Sequence, residues 1–160
     1  MEIKTINRTV EKIKEKDERS ALNGTMLRTM TKEKLIASHH IGNRTVFEMG
    51  GFVNDINRLF GFGERDTLPR VRSIHDAFTE LRVSNPELGI SEERIRFLVK
   101  KEKIPSVRIG NRAYIALETF EPPFDHCLIY DDYMNSFESE LERIARENIE
   151  SAKRSRRIRI

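Results

Sequence analysis

The feature that most constrains this chain is a repeat. Residues 26–47 and 94–115 align without a gap at an offset of 68 positions. Arg28 falls on Arg96, Lys32 on Lys100, Ile36 on Ile104 and Ser38 on Ser106, while Ile41-Gly42-Asn43-Arg44 falls on Ile109-Gly110-Asn111-Arg112. The register runs back to Ile6 on Ile74 and forward to Phe52 on Phe120. A 160-residue chain repeated in this way holds two similar units of about 50 residues each. Units of that size bury little surface alone, so they are expected to pack on each other or on a partner.

In the first copy Ile6, Val10 and Ile13 recur at helical spacing among lysines and glutamates, which predicts a short polar amphipathic helix. A polar turn from Asp17 to Gly24 leads to a second helix from about Thr25 to Lys34. Leu27 and Met30 lie on its inner stripe, and Thr25, Arg28, Thr29 and Lys32 share its outer face. Ser38–Ile41 and Arg44–Phe47 around Gly42-Asn43 read as a β-hairpin. On its first strand His39 and Ile41 face one way, Ser38 and His40 the other, so the two histidines are no chelating pair. His39 is expected partly buried and His40 at the surface. Residues 52–60 suit a closing amphipathic helix, and Gly61 to Pro69 break the pattern as a linker.

The second copy repeats the plan. Ile74, Ala77, Phe78 and Leu81 make the first helix, and the turn holds Asn85-Pro86 and ends at Gly89. Ser91 is an N-cap with Glu92 and Glu93 behind it. Ile95, Leu98 and Val99 face inward; Glu93, Arg96, Phe97 and Lys100 face outward. In the hairpin, Ser106–Ile109 then Arg112–Leu117, Val107 and Ile109 point to the core and Arg108 stays outside. Pro122-Pro123 spoils a closing helix, so this copy must finish differently. The expected fold is mainly α with small β-hairpins: two tandem winged helix-turn-helix modules plus a C-terminal helix. The modules are placed at 4–60 and 72–120, joined by a linker at 61–71, with a helical segment and basic tail at 121–160.

The run Ser91-x-x-x-Ile95-Arg96-x-Leu98-Val99-Lys100-x-x-Lys103-Ile104-Pro105-Ser106-Val107-Arg108-Ile109-Gly110-Asn111-Arg112 resembles the excisionase/MerR-type DNA-binding modules of bacterial mobile elements. The likeness covers residues 72–120 well and 4–52 in outline. Both copies depart from it in a longer turn between the helices, at 15–22 and 83–90. The resemblance implies a sequence-specific double-stranded DNA-binding protein without enzymatic activity, either a recombination directionality factor or a transcriptional regulator of a phage or integrative element. It also implies a bacterial cytoplasmic, nucleoid-associated setting.

The residue chemistry agrees with that expectation. A helix entering the major groove needs basic and short polar side chains on one face. Arginine can bond guanine bidentately, and lysine or serine can bond phosphate. Arg28 with Lys32, and Arg96 with Lys100, supply that face. Gly42 and Gly110 let each hairpin turn, Asn43 and Asn111 tolerate left-handed geometry, and Arg44 and Arg112 stand at the tips, where a narrow minor groove attracts a guanidinium. His40 replaces Arg108 on the outer strand face, so contact with phosphate by the first copy would strengthen as His40 gains its proton. The alternative to this reading is a solvated charged surface.

Charge is unevenly spread. Residues 4–52 carry net +4, 72–120 net +2, 121–150 net −7, and 151–160 five basic groups without an acid. That pattern points weakly to a polyanion. It also leaves room for a protein-interaction module that binds an integrase or inhibits a host defence or nucleic-acid enzyme. From Asp131 a long helix is expected, with Met134, Phe137, Leu141, Ile144 and Asn148 at spacings that suit either packing on the modules or a homodimer through 131–150. Phe124 to Tyr133 are expected to pack on the second hairpin. The single cysteine, Cys127, excludes an intramolecular disulfide and fits a reducing compartment. No apolar run reaches membrane-spanning length. No phosphate loop, nucleophile elbow or metal-ligand spacing stands out, and His126-Cys127 is an isolated pair, so neither cofactor nor metal is expected.

Overall fold

The structure is a computed structural model that describes the backbone of residues 2–158 and the side chains of 2–129 and 141–154. Residues up to Phe124 form one compact unit and those from Asp125 a second. The first unit holds both copies. Strand β1 (Ile3–Thr5), helices α1 (Ile6–Lys16) and α2 (Gly24–Lys32), strands β2 (His39–Ile41) and β3 (Arg44–Glu48) and helix α3 (Met49–Leu59) make the first. Strand β4 (Val71–Ser73), helices α4 (Ile74–Ser84) and α5 (Glu92–Lys100) and strands β5 (Val107–Ile109) and β6 (Arg112–Ala116) make the second. Every one of these second-copy elements begins and ends 68 positions after its counterpart. A 3-10 turn at Leu117–Phe120 stands where the first copy has α3.

The echo extends to the caps. Thr5, Asn23, Ser73 and Ser91 each accept a hydrogen bond from the backbone N–H three residues on, satisfying a donor that the helix start leaves open. Helices α2 and α5 both end on a left-handed residue, Lys34 at φ 60° and Glu102 at φ 56°. Leu35 N–H then donates to Met30 O, and Lys103 N–H to Leu98 O, both at 2.9 Å. This is the Schellman closure, here without the glycine that usually makes it cheap. Gly42 and Gly110 turn the hairpins at φ 63° and 62°.

Each sheet has three antiparallel strands, in the orders β1-β3-β2 and β4-β6-β5, where a two-stranded hairpin was expected. Ile3 pairs with Glu48 and Thr5 with Val46; Val71 pairs with Ala116 and Ser73 with Tyr114. The chain is therefore mixed α/β, with its small sheets one strand larger than the sequence suggested. Val71, assigned to the linker, opens β4.

The copies share a core. Ile13, Leu22, Leu27, Met30, Phe47, Phe52, Ile56 and Phe60 of the first cluster with Val71, Val107 and Ala116 of the second, and Ile109 and Tyr114 pack against the cluster. Those five second-copy residues occupy one face of the β4-β6-β5 sheet, as its register requires. Val107 and Ile109 thus point to a core as expected, but it is one built largely by the first copy. Of their counterparts in the first sheet Val46 is buried, but Ile3 is 52% and Ile41 62% exposed. His39 lies on that same face and is exposed, not partly buried.

The joint is polar as well. Arg72, 2% exposed, donates through Nη1 and Nη2 to both Asp17 oxygens at 2.7 and 2.8 Å, and through Nε to Glu80 at 2.7 Å. Burial opposes its charge, but the hydrogen bonds to Asp17 and Glu80 outweigh that and raise its pKa further. Ala21 N–H donates to Val71 O at 2.9 Å. The segment between the copies is packed: Asn57 Nδ2 donates to Thr67 O at 3.0 Å, Pro69 is buried, and Phe62 and Leu68 lie against the core.

The second unit is helix α6 (Cys127–Ile158), which starts four residues before the expected Asp131. Leu141, Ile144 and Ile149 on it are exposed. Met134, Phe137 and the tail beyond Arg154 lie outside the described side chains. Phe124, expected on the second hairpin, sets its ring 5.3 Å from Phe120. Among the described residues no helix is long and apolar enough to cross a membrane.

Candidate nucleic-acid interface

In each copy the outer face of the second helix, the start of the first helix and the hairpin enclose an open groove. The first groove, about 710 Å³, is lined by Ile6, Arg28, Thr31, Lys32, Lys34, Leu35, Ile36, Ala37, Ser38, His40, Thr45, Asp55 and Arg58. The second, about 970 Å³, is lined by Ser73, Ile74, His75, Asp76, Arg96, Val99, Lys100, Glu102, Ser106, Arg108, Asn111, Arg112 and Ala113. The shared positions correspond at the 68-residue offset: Ile6/Ile74, Arg28/Arg96, Thr31/Val99, Lys32/Lys100, Lys34/Glu102, Ser38/Ser106, His40/Arg108 and Thr45/Ala113. An adjoining hollow of about 630 Å³ joins Arg28 to Asn43, Arg44 and Arg8.

Local structure explains the convergence. Arg28 and Lys32 are one helical turn apart on α2, opposite the buried Leu27 and Met30. Alternation on β5 puts Arg108 opposite Val107 and Ile109, and since those two pack on the shared core, Arg108 must face the groove. His40 pairs with Thr45 on the equivalent face of the first hairpin. Among the described residues, Arg28, Lys32, Arg44, Lys100, Arg108 and Arg112 form no ion pair. Their charge is therefore not offset by a carboxylate partner among the described residues. The one carboxylate lining the first groove, Asp55, accepts from Ala37 N–H at 2.9 Å and pairs with Arg58 at 3.6 Å.

Arg96 differs. Its Nη2 donates to Glu92 Oε1 at 2.8 Å, and Glu92 Oε2 lies 3.3 Å from His75 Nδ1. The hydrogen bonds from Arg96 and then His75 hold the Glu92 carboxyl below its usual range. Three expected contact residues line neither a groove nor the adjoining hollow. Thr25 is exposed at the start of α2. Thr29 donates its hydroxyl to Thr25 O at 3.0 Å. Phe97 is half-buried, its ring 5.0 Å from the Arg94 guanidinium and 5.9 Å from Lys101 Nζ, a cation–π support for surface charge.

The sequence did not single out Lys34, Arg58, His75 or Asp76. Arg58 comes from α3, which the second copy lacks, so matching the copies could not find it. His75 and Asp76 follow the Ser73 cap, and a groove formed at a helix start leaves no periodic trace. Comparison with family models, with characterised proteins and with solved structures finds no match.

Proposed function

We propose that the chain is a sequence-specific double-stranded DNA-binding protein made of two winged helix-turn-helix modules. Helices α2 and α5 enter the major groove, and the β2-β3 and β5-β6 hairpins are wings that reach the backbone and the minor groove. Its role is that of an excisionase-like architectural factor or transcriptional regulator of a phage or integrative element. The observation that carries this reading is the twofold convergence: matched positions from helix and hairpin meet in one basic groove in each copy. Cations on the helix face contact bases and phosphates, while the wing arginines track the flanking minor groove. Because the copies share a core, the two grooves sit in a fixed arrangement, and the second docking event costs less entropy than it would on a slack tether.

A protein-interaction role is the second reading, favoured by the uncovered Ile3 and Ile41. The deciding experiment selects genomic fragments with the full chain and measures binding by wild type, Arg28→Ala, Arg96→Ala and the double variant. Each single change is expected to cost about 1–3 kcal/mol on the selected site. Full-strength binding by the double variant sinks the DNA reading, and absence of any salt-dependent shift favours the protein partner.

A further inference from the structure

Among the aligned positions at which the two copies differ, one stands beside the groove arginine of each. Helix α2 starts with Gly24; helix α5 starts with Glu92. Glu92 grips Arg96 with one carboxylate oxygen and faces His75 with the other. Gly24 offers Arg28 no side chain, and the Arg28 Nη1 rests 3.4 Å from where a Cβ would stand. The same arginine is thus buttressed in one groove and loose in the other.

The consequences follow from charge and entropy. A guanidinium held along one edge has lost rotamer freedom before DNA arrives, and it keeps its other N–H donors for a planar acceptor pair such as guanine O6 and N7. The same carboxylate repels phosphate, so it weakens backbone contact at that end of the helix. A loose arginine reaches any phosphate within range and does so on any sequence. We propose that Glu92 is a positioning residue for Arg96 that makes the second groove the base reader, and that Gly24 leaves the first groove as the phosphate anchor. This rests on the DNA-binding reading above.

The test uses the full chain with Glu92→Gln, Glu92→Gly, Gly24→Glu and Arg96→Ala. Binding is measured on the selected site, on each single-base-pair variant of it, and on a scrambled duplex. Glu92→Gly is expected to tighten binding to the scrambled duplex and to lose about tenfold discrimination at one base pair, the one that Arg96→Ala also stops reading. Other base pairs keep their discrimination. Glu92→Gln, which retains an acceptor for Arg96 without the charge, keeps part of what Glu92→Gly loses. Gly24→Glu weakens binding to the scrambled duplex and leaves the base preferences as they were. If Glu92→Gly keeps wild-type discrimination at every base pair, or loses it evenly across the site, the proposal is overturned while DNA binding stands. If the wild-type chain shows no salt-dependent DNA binding, this proposal and the reading beneath it fall together.

Discussion

At Gly61 the backbone takes φ +80°, and a Cβ there would stand 2.6 Å from Pro105 Cγ, so the turn that closes the first copy touches the loop before the second hairpin. Gly61→Ala is expected to destabilise by about 2–3 kcal/mol, through left-handed strain and overpacking together, read as a lower denaturant midpoint at unchanged slope. Glu92 allows a pH test. Its folded pKa is depressed, so its contribution is present above the unfolded carboxylate value and fades as pH falls through the lower folded one. Arg96→Ala should move the Glu92 titration, followed by carbon NMR, upward; an unmoved midpoint argues against the pair. At this scale the Arg–Lys faces were legible because helical spacing states which side chains share a side. The burial of His39 was not. Alternation places it with Ile41 but does not say whether anything covers that face, and its counterpart Val107 is covered only because the core of the first copy packs there.

Among the elements, helices α2 and α5 close on non-glycine residues in left-handed geometry, which leaves stability unused. Glu102→Gly should stabilise by about 0.5–1 kcal/mol, seen as a higher thermal midpoint. Asn23→Ala should cost about 1 kcal/mol by removing the α2 cap. Both helices of each copy were legible from apolar spacing and capping residues. The third strands were not. Ile3–Thr5 and Val71–Ser73 are three residues long, too short for alternation to show, and each runs straight into a helix cap. Helix α3 was expected from Phe52 but begins at Met49, because Glu48 accepts from Gly50 and Gly51 N–H at 2.9 and 2.7 Å and so starts a helix on residues that read as breakers.

For the whole molecule, the gapless repeat of the sequence returns as a 68-residue echo of the elements, with both copies in one compact unit. How they pack was hidden, since it depends on a sheet face that is apolar in one copy (Val71, Val107, Ala116) and mixed in the other (Ile3, His39, Glu48). The shared core should make both copies unfold in one cooperative transition. Arg72→Ala should cost about 3 kcal/mol by leaving Asp17 and Glu80 without their common partner, checked by chemical denaturation. The central claim is that six unpaired cations, Arg28, Lys32, Arg44, Lys100, Arg108 and Arg112, meet DNA phosphate or base edges. The dependence of log Kd on log salt for the selected duplex measures it. A slope near that of about five released counterions is expected for wild type, falling by about 0.9 for each of these residues that contacts phosphate and is changed to alanine. A wild-type chain whose DNA binding is absent or independent of salt, or alanine variants that keep the full slope, would contradict it.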